Sequence, residues 1–225
     1  MTHYPYGYDR RAQGHRVSPR PSVEAQRREE VLVATCAVIG EVGFRHVRIA
    51  DVAERIGTST GIIHYYFRTK DELLEEAFRF VIESARERSL EALEGITDPE
   101  ERLMTVIRVN LPTASNHLDW PIWIHLWAEA LRDPALRRVS VTAYDRWVRL
   151  VEKIVTEGQE QGAFSHLDAR EFATQLLAMI DGLVVQALIS GRPAAMRALR
   201  PTVEAFMRQA LGDSTGQPLD ALMRG

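Results

Sequence analysis

A chain of 225 residues, 45% of them hydrophobic, can bury a sizeable core, which excludes disorder throughout. No run of eighteen or more apolar residues occurs, and the opening MTHYPYGYDRRAQGHR lacks the apolar centre of a signal peptide, so a soluble, cytoplasmic protein with no membrane partner is expected. The formal net charge of −3 hides an asymmetry: residues 1–70 carry 11 Lys+Arg against 7 Asp+Glu, and residues 71–225 carry 17 against 24. A basic front joined to an acidic remainder fits a polyanion reader attached to something else.

Residues 1–21 mix Arg10, Arg11, Arg16 and Arg20 with Tyr, Pro and Gly. They read as a disordered basic arm, either a solvated tail or one that reaches a DNA minor groove. From Ser22 the apolar period is helical and no segment alternates, so the expected fold class is all-α. Helices are expected at about 22–41, 48–55, 59–65, 69–94, 98–115, 119–131, 134–161, 168–190 and 201–211, with a short turn of helix at 194–199. Four starts carry a capping oxygen: Thr69-Lys-Asp-Glu72 has the form of a capping box, Asp98-Pro99 and Asp133-Pro134 put proline at the first helical position, and Asp168 stands three residues before Glu171. Pro112 should kink or end the fifth helix, and Pro201 should start or bend the last. The lone cysteine, Cys36 in VLVATCAVIG, has no disulfide partner and reads as a packing residue.

Residues 48–67 form two helices of only two turns, joined by Ile56-Gly57-Thr58, and neither would hold together alone. Val52, Ala53 and Ile56 on one side and Ile62 and Ile63 on the other supply apolar contacts, Gly57 can take the left-handed conformation of a sharp turn, and Ser59 is the expected N-cap of the second helix. This is a helix-turn-helix, whose second helix enters the major groove with its N-terminal residues nearest the bases. On that helix Gly61, His64 and Tyr65 can face the duplex, while Ile63 and Phe67, four apart, point into the small core. Gly61 lets the backbone approach, His64 can bond a base edge or phosphate, and the Tyr65 and Tyr66 hydroxyls can bind phosphates; Tyr66 equally fits as a plug between helices. Lys70 adds a cation beside the next helix N-terminus.

The run Ile49-Ala-Asp-Val-Ala-Glu-Arg-Ile-Gly57-Thr-Ser-Thr-Gly61-Ile-Ile-His-Tyr-Tyr66-Phe67-Arg-Thr-Lys70-Asp-Glu-Leu73-Leu resembles the DNA-binding region of TetR-family transcriptional regulators, over about residues 22–75. The resemblance implies DNA roles for Thr60, Gly61, His64, Tyr65, Tyr66 and Lys70, with Arg48 as a further phosphate contact. His64 stands where the family often has tyrosine, and Thr60 where it often has lysine or another polar residue, so base preference is not carried over. The resemblance divides the chain into an arm at 1–21, a three-helix DNA-binding domain at 22–74, a larger helical domain at 75–211 that dimerises and binds a small molecule, and a flexible tail at 212–225.

Two features of the remainder bear on that second domain. In 168–190, Phe172, Leu176, Met179, Ile180, Leu183 and Ala187 mark one apolar face while Leu177, Val184 and Leu188 mark another, and Val203, Phe206, Met207 and Ala210 stripe the last helix. Either these helices pair with their symmetry mates in a homodimer, or the first is simply central within one subunit. The segment Trp120-Pro-Ile-Trp123-Ile-His-Leu-Trp127, with Tyr144-Asp-Arg-Trp147 and Ile180-Asp181-Gly182-Leu183, resembles the BetI-like branch of the family. Trp120, Trp123 and Trp127 share a helix face, and with Met104 and Trp147 they either pack as core or wall a cavity for a cationic ligand, countered by Glu129 or Asp181. His125 and Glu129 are four apart, but two ligands do not make a metal site, and no cofactor is expected. The expected function is a dimeric, ligand-released repressor of a near-palindromic operator. A ligand-independent regulator or an activator of the same fold is the alternative, and an all-helical enzyme is disfavoured because no catalytic motif occurs.

Overall fold

Helix boundaries follow the capping residues. In the computed structural model, which describes residues 23–112, 119–165 and 167–212, the helices are α1 (Val23–Val42), α2 (Ile49–Arg55), α3 (Thr60–Tyr66), α4 (Lys70–Ala92), α5 (Pro99–Asn110), α6 (Asp119–Ala130), α7 (Pro134–Glu160), α8 (Ala169–Ser190) and α9 (Pro193–Leu211), and among the described residues there is no strand. The expected basic arm with Arg10, Arg11, Arg16 and Arg20, and the expected tail beyond Gly212, lie outside the described residues.

All four capping oxygens are engaged. The Glu72 amide donates to Thr69 Oγ1 at 3.1 Å, and the Glu72 carboxylate accepts from the Arg68 amide at 3.0 Å, one residue earlier than an ideal capping box places it. Asp98 accepts from the Glu101 amide at 2.8 Å, Asp133 from the Ala135 amide at 2.7 Å, and Asp168 from the Glu171 amide at 2.8 Å. Ser59 holds the N-cap position of α3 with extended backbone, but its hydroxyl makes no capping bond.

Three boundaries depart from expectation. α5 stops at Asn110 rather than near 115, because Leu111 precedes Pro112 and is driven to extended backbone (φ −67°, ψ 149°). α9 starts at Pro193 and runs through Pro201 as one helix. Leu199, Val203, Met207 and Leu211 are buried on one side, whereas Pro201 and Arg197 are exposed, so the carbonyl freed by the missing N–H can be solvated. A 3-10 turn, Phe44–His46, fills the stretch between α1 and α2 for which no element was expected.

The described residues fall into two compact units. One takes the chain to Ala85 together with residues up to Ser140; the other takes Arg86–Pro112 and the chain from Val141. The division cuts α4 and α7, so each unit takes two separate stretches of the chain. In the first unit, α1 packs against α2, the 3-10 turn and α6. Its residues Val31, Leu32, Cys36, Val38 and Ile39 are buried almost all round, as a central helix requires, together with Leu73, Leu74, Ala77 and Phe78 of α4. In the second unit, Leu103 and Ile107 of α5, Val151, Ile154 and Val155 of α7, and Phe172, Leu176 and Val184 of α8 make the core, and α8 packs along α9 with Phe172 and Phe206 stacked at 6.1 Å.

Candidate nucleic-acid interface

Gly57 turns α2 into α3 at φ 64°, a left-handed conformation that any side chain would strain. Val52 and Ala53 on α2 and Ile63 and Phe67 at the end of α3 are buried, and they fix the rotation of α3 about its axis. The Arg28 guanidinium lies over the Phe67 ring at 5.0 Å while bonding Glu76 at 2.9 Å, which locks that anchor from outside.

With Ile63 inward, Thr60, Gly61, His64 and Tyr65 are exposed on α3, Tyr65 at 71%. Tyr66 is half-buried and meets Tyr65 edge to face at 5.0 Å, so it supports the exposed ring as well as filling space. Ile62, expected in the apolar contact between the helices, is instead 45% exposed. Adjacent helical positions are about 100° apart, so a buried Ile63 turns Ile62 out. An exposed β-branched residue beside Gly61 was missed as a candidate contact. The signal was there, since two consecutive isoleucines on a two-turn helix cannot both face inward.

Arg48 is exposed at the N-cap of α2. Lys70 is not a free surface cation: it is half-buried, and its Nζ donates to the Arg45 carbonyl at 3.2 Å. Arg45, in the 3-10 turn, in turn bonds both carboxylate oxygens of Glu129 on α6, at 3.0 and 3.2 Å. These bonds hold the Glu129 carboxyl below the usual carboxylate range and the Arg45 guanidinium above its own. One turn earlier on α6, the His125 ring lies beside Gly43, its Cε1 3.5 Å from where a Cβ on that glycine would stand. Glu129 is thus committed to an arginine, and among the described residues no group of three metal-ligating side chains occurs.

The residues expected around a ligand divide between the units. In the first, Trp127 meets Trp120 at 6.3 Å and Trp123 at 6.1 Å; Trp120 is buried, and Trp123 and Trp127 are half-buried, leaving ring surface uncovered. In the second, Met104 and Trp147 are half-buried, and burial pushes the Asp181 carboxyl up to about 7. Tyr144, near Asp181, is raised by its own burial first and by that carboxylate second, and its hydroxyl donates to the Thr174 carbonyl at 3.3 Å.

The residues expected on a dimer face divide by burial. Phe172, Leu176, Ile180, Ala187, Val203 and Met207 are buried within the single chain, because α8 and α9 pack on one another and on the rest of the second unit. Met179, Leu183, Phe206 and Ala210 stay half-exposed. Beside them on α8, Gly182, Gln186 and Ile189 are exposed, Ile189 at 74%. α8 is the one described helix long and apolar enough to cross a membrane, with 33% of that stretch buried.

A three-helix head with a short helix presenting polar and aromatic side chains beside a glycine defines the helix-turn-helix class of DNA-binding regulator. Residues 31–77 match the tetR family of bacterial regulatory proteins, and residues 99–212 match the C-terminal domain of BetI-type transcriptional repressors. The chain is 31% identical to the HTH-type transcriptional regulator BetI of Escherichia coli K12 over 196 residues, 86% of this chain and 98% of that protein. Among solved structures it is similar to a transcriptional regulator from Saccharomonospora viridis in complex with choline (35% identity, TM-score 0.76, 81% of this chain and 96% of that one). It is also similar to a TetR-family regulator from Rhodococcus sp. (25% identity, TM-score 0.73, 83% and 99%). The chain belongs to the TetR family of transcriptional regulators, with a BetI-type C-terminal domain, and its relatives are regulators rather than enzymes.

Proposed function

We propose that this regulator is a cytoplasmic homodimer that represses by binding a near-palindromic operator and leaves it when a small cationic molecule binds. The exposed face of α3 carries the reading: Thr60, Gly61, His64 and Tyr65 stand outward because Ile63 and Phe67 are anchored inward. Gly61 admits the backbone, His64 reads a base edge, Ile62 offers an apolar contact to a thymine methyl, and Arg48, Tyr65, Tyr66 and Lys70 hold phosphates. The second copy covers the apolar face left on α8 and α9, with Met179, Leu183, Ile189, Phe206 and Ala210, so that two heads address two half-sites. A quaternary ammonium group fits the half-covered rings of Trp123 and Trp127 through their quadrupoles, and Asp181 supplies a carboxylate to a cation in the other unit. The choline held by the Saccharomonospora viridis protein supports that ligand class.

Gel shifts with a duplex from the chain's own upstream region test the reading. Specific binding at moderate salt should exceed binding to bulk DNA by roughly a thousandfold or more, and millimolar choline should release it. His64→Ala should change sequence preference, whereas Lys70→Ala should weaken all duplexes and lower the salt slope by about 1. No preference over bulk DNA would sink the operator reading. Retention of the duplex at saturating choline, with no rise in Tm, would sink the ligand class.

A further inference from the structure

We propose that Glu129 and Arg45 are positioning residues for Lys70: the α6 carboxylate fixes the 3-10 turn, and the carbonyl of that turn holds the ammonium at the start of α4. The proposal rests on the DNA-binding reading above, in which Lys70 grips a phosphate. Arg45 is bound at both ends. Its guanidinium forks onto both Glu129 oxygens at 3.0 and 3.2 Å, and its backbone carbonyl accepts from Lys70 Nζ at 3.2 Å. The Glu129 side chain is 16% exposed and that of Arg45 62%, so the carboxylate is the fixed anchor and the arginine the partner drawn to it. His125, four residues earlier on α6, lies beside Gly43, so two successive turns of α6 meet the segment from Gly43 to Arg45.

An ion pair with one partner exposed adds little to stability. A planar fork nevertheless fixes orientation as well as distance, which a point charge does not. The ammonium has three donors; with one on the Arg45 carbonyl, two remain for phosphate oxygens. A lysine held in this way before DNA arrives loses less rotamer freedom on binding. Glu129 and Arg45 therefore act on affinity through Lys70 without touching the duplex themselves.

The test uses the full chain and a duplex that the wild-type protein selects from a random pool. Glu129→Gln should weaken binding roughly three- to tenfold and lower the salt slope toward that of Lys70→Ala. In the Lys70→Ala background it should cost nothing further. The exchange Arg45→Glu with Glu129→Arg should recover part of the loss. Hydrogen exchange of the amides from Gly43 to Arg48 should quicken in Glu129→Gln, a readout that needs no DNA. Unchanged exchange, unchanged or additive affinity loss, or tighter binding with a steeper slope, which would mean that Glu129 only sequesters Arg45, would each overturn the proposal. If wild type selects no duplex, the operator reading fails, and the exchange measurement alone decides whether Glu129 holds the turn.

Discussion

Gly61 stands second in α3, and a Cβ built there meets only Ser59 Oγ, at 3.6 Å, an ordinary contact. Nothing inside the protein requires a glycine at this helical position, where alanine is ordinarily better by roughly 0.5–1 kcal/mol. Gly61→Ala should therefore keep or raise Tm while weakening operator binding at least tenfold; a variant that binds as well as wild type would show that the backbone makes no close approach there. Asp181 obeys the opposite logic. Burial raises its carboxyl from 3.8 to about 7, so the folded chain keeps a proton that the unfolded chain has released. Stability from this group is full below about 4, falls as pH rises toward 7, and is flat above. Asp181→Asn should then raise Tm by a few degrees at pH 8 and leave it nearly unchanged at pH 4, since each kcal/mol shifts Tm by about 2–4 °C in a chain of this size. An equal shift at both pH values would remove burial as the cause. If Asp181 meets the cationic effector, that effector should bind more tightly at pH 8 than at pH 6.

Among the elements, those specified by neighbours in sequence were legible. The caps at Thr69, Asp98, Asp133 and Asp168 and the turn at Gly57 depend on residues within four positions, and each is where its side-chain chemistry puts it. The passage of α9 through Pro201 was not legible, because tolerance of that proline depends on which side of the helix the rest of the second unit covers. α8 shows the same limit. Periodicity marks residues that avoid water, but not whether the cover comes from the same chain or from a second copy. Phe172, Leu176 and Ile180 turned out to be covered internally, and Gly182 and Ile189 are left outside. If the second copy sits on that outer face, Gly182→Glu should place two carboxylates at the two-fold contact and shift sedimentation from dimer to monomer at micromolar concentration, with helix content retained. A dimer undisturbed by this change would move the interface elsewhere.

For the molecule as a whole, the basic front and acidic remainder agree with a DNA reader joined to a domain of another purpose. The class of protein was readable because α3 packs by local rules and exposes what is left over. The Arg45–Glu129 bond was not, since its partners are 84 positions apart and each looks like an ordinary surface charge in the sequence. Cys36 falls between these cases: its apolar neighbours suggested packing, and only the fold shows that it is fully enclosed, with Sγ 3.6 Å from the Ala77 carbonyl and its thiol pushed above the usual range by burial. The single thiol of the chain thus lies where α1 meets α4, silent toward alkylating reagents while the head stays shut. Its labelling rate is a built-in clock for how often that head comes apart, readable in the unmodified sequence without an added probe.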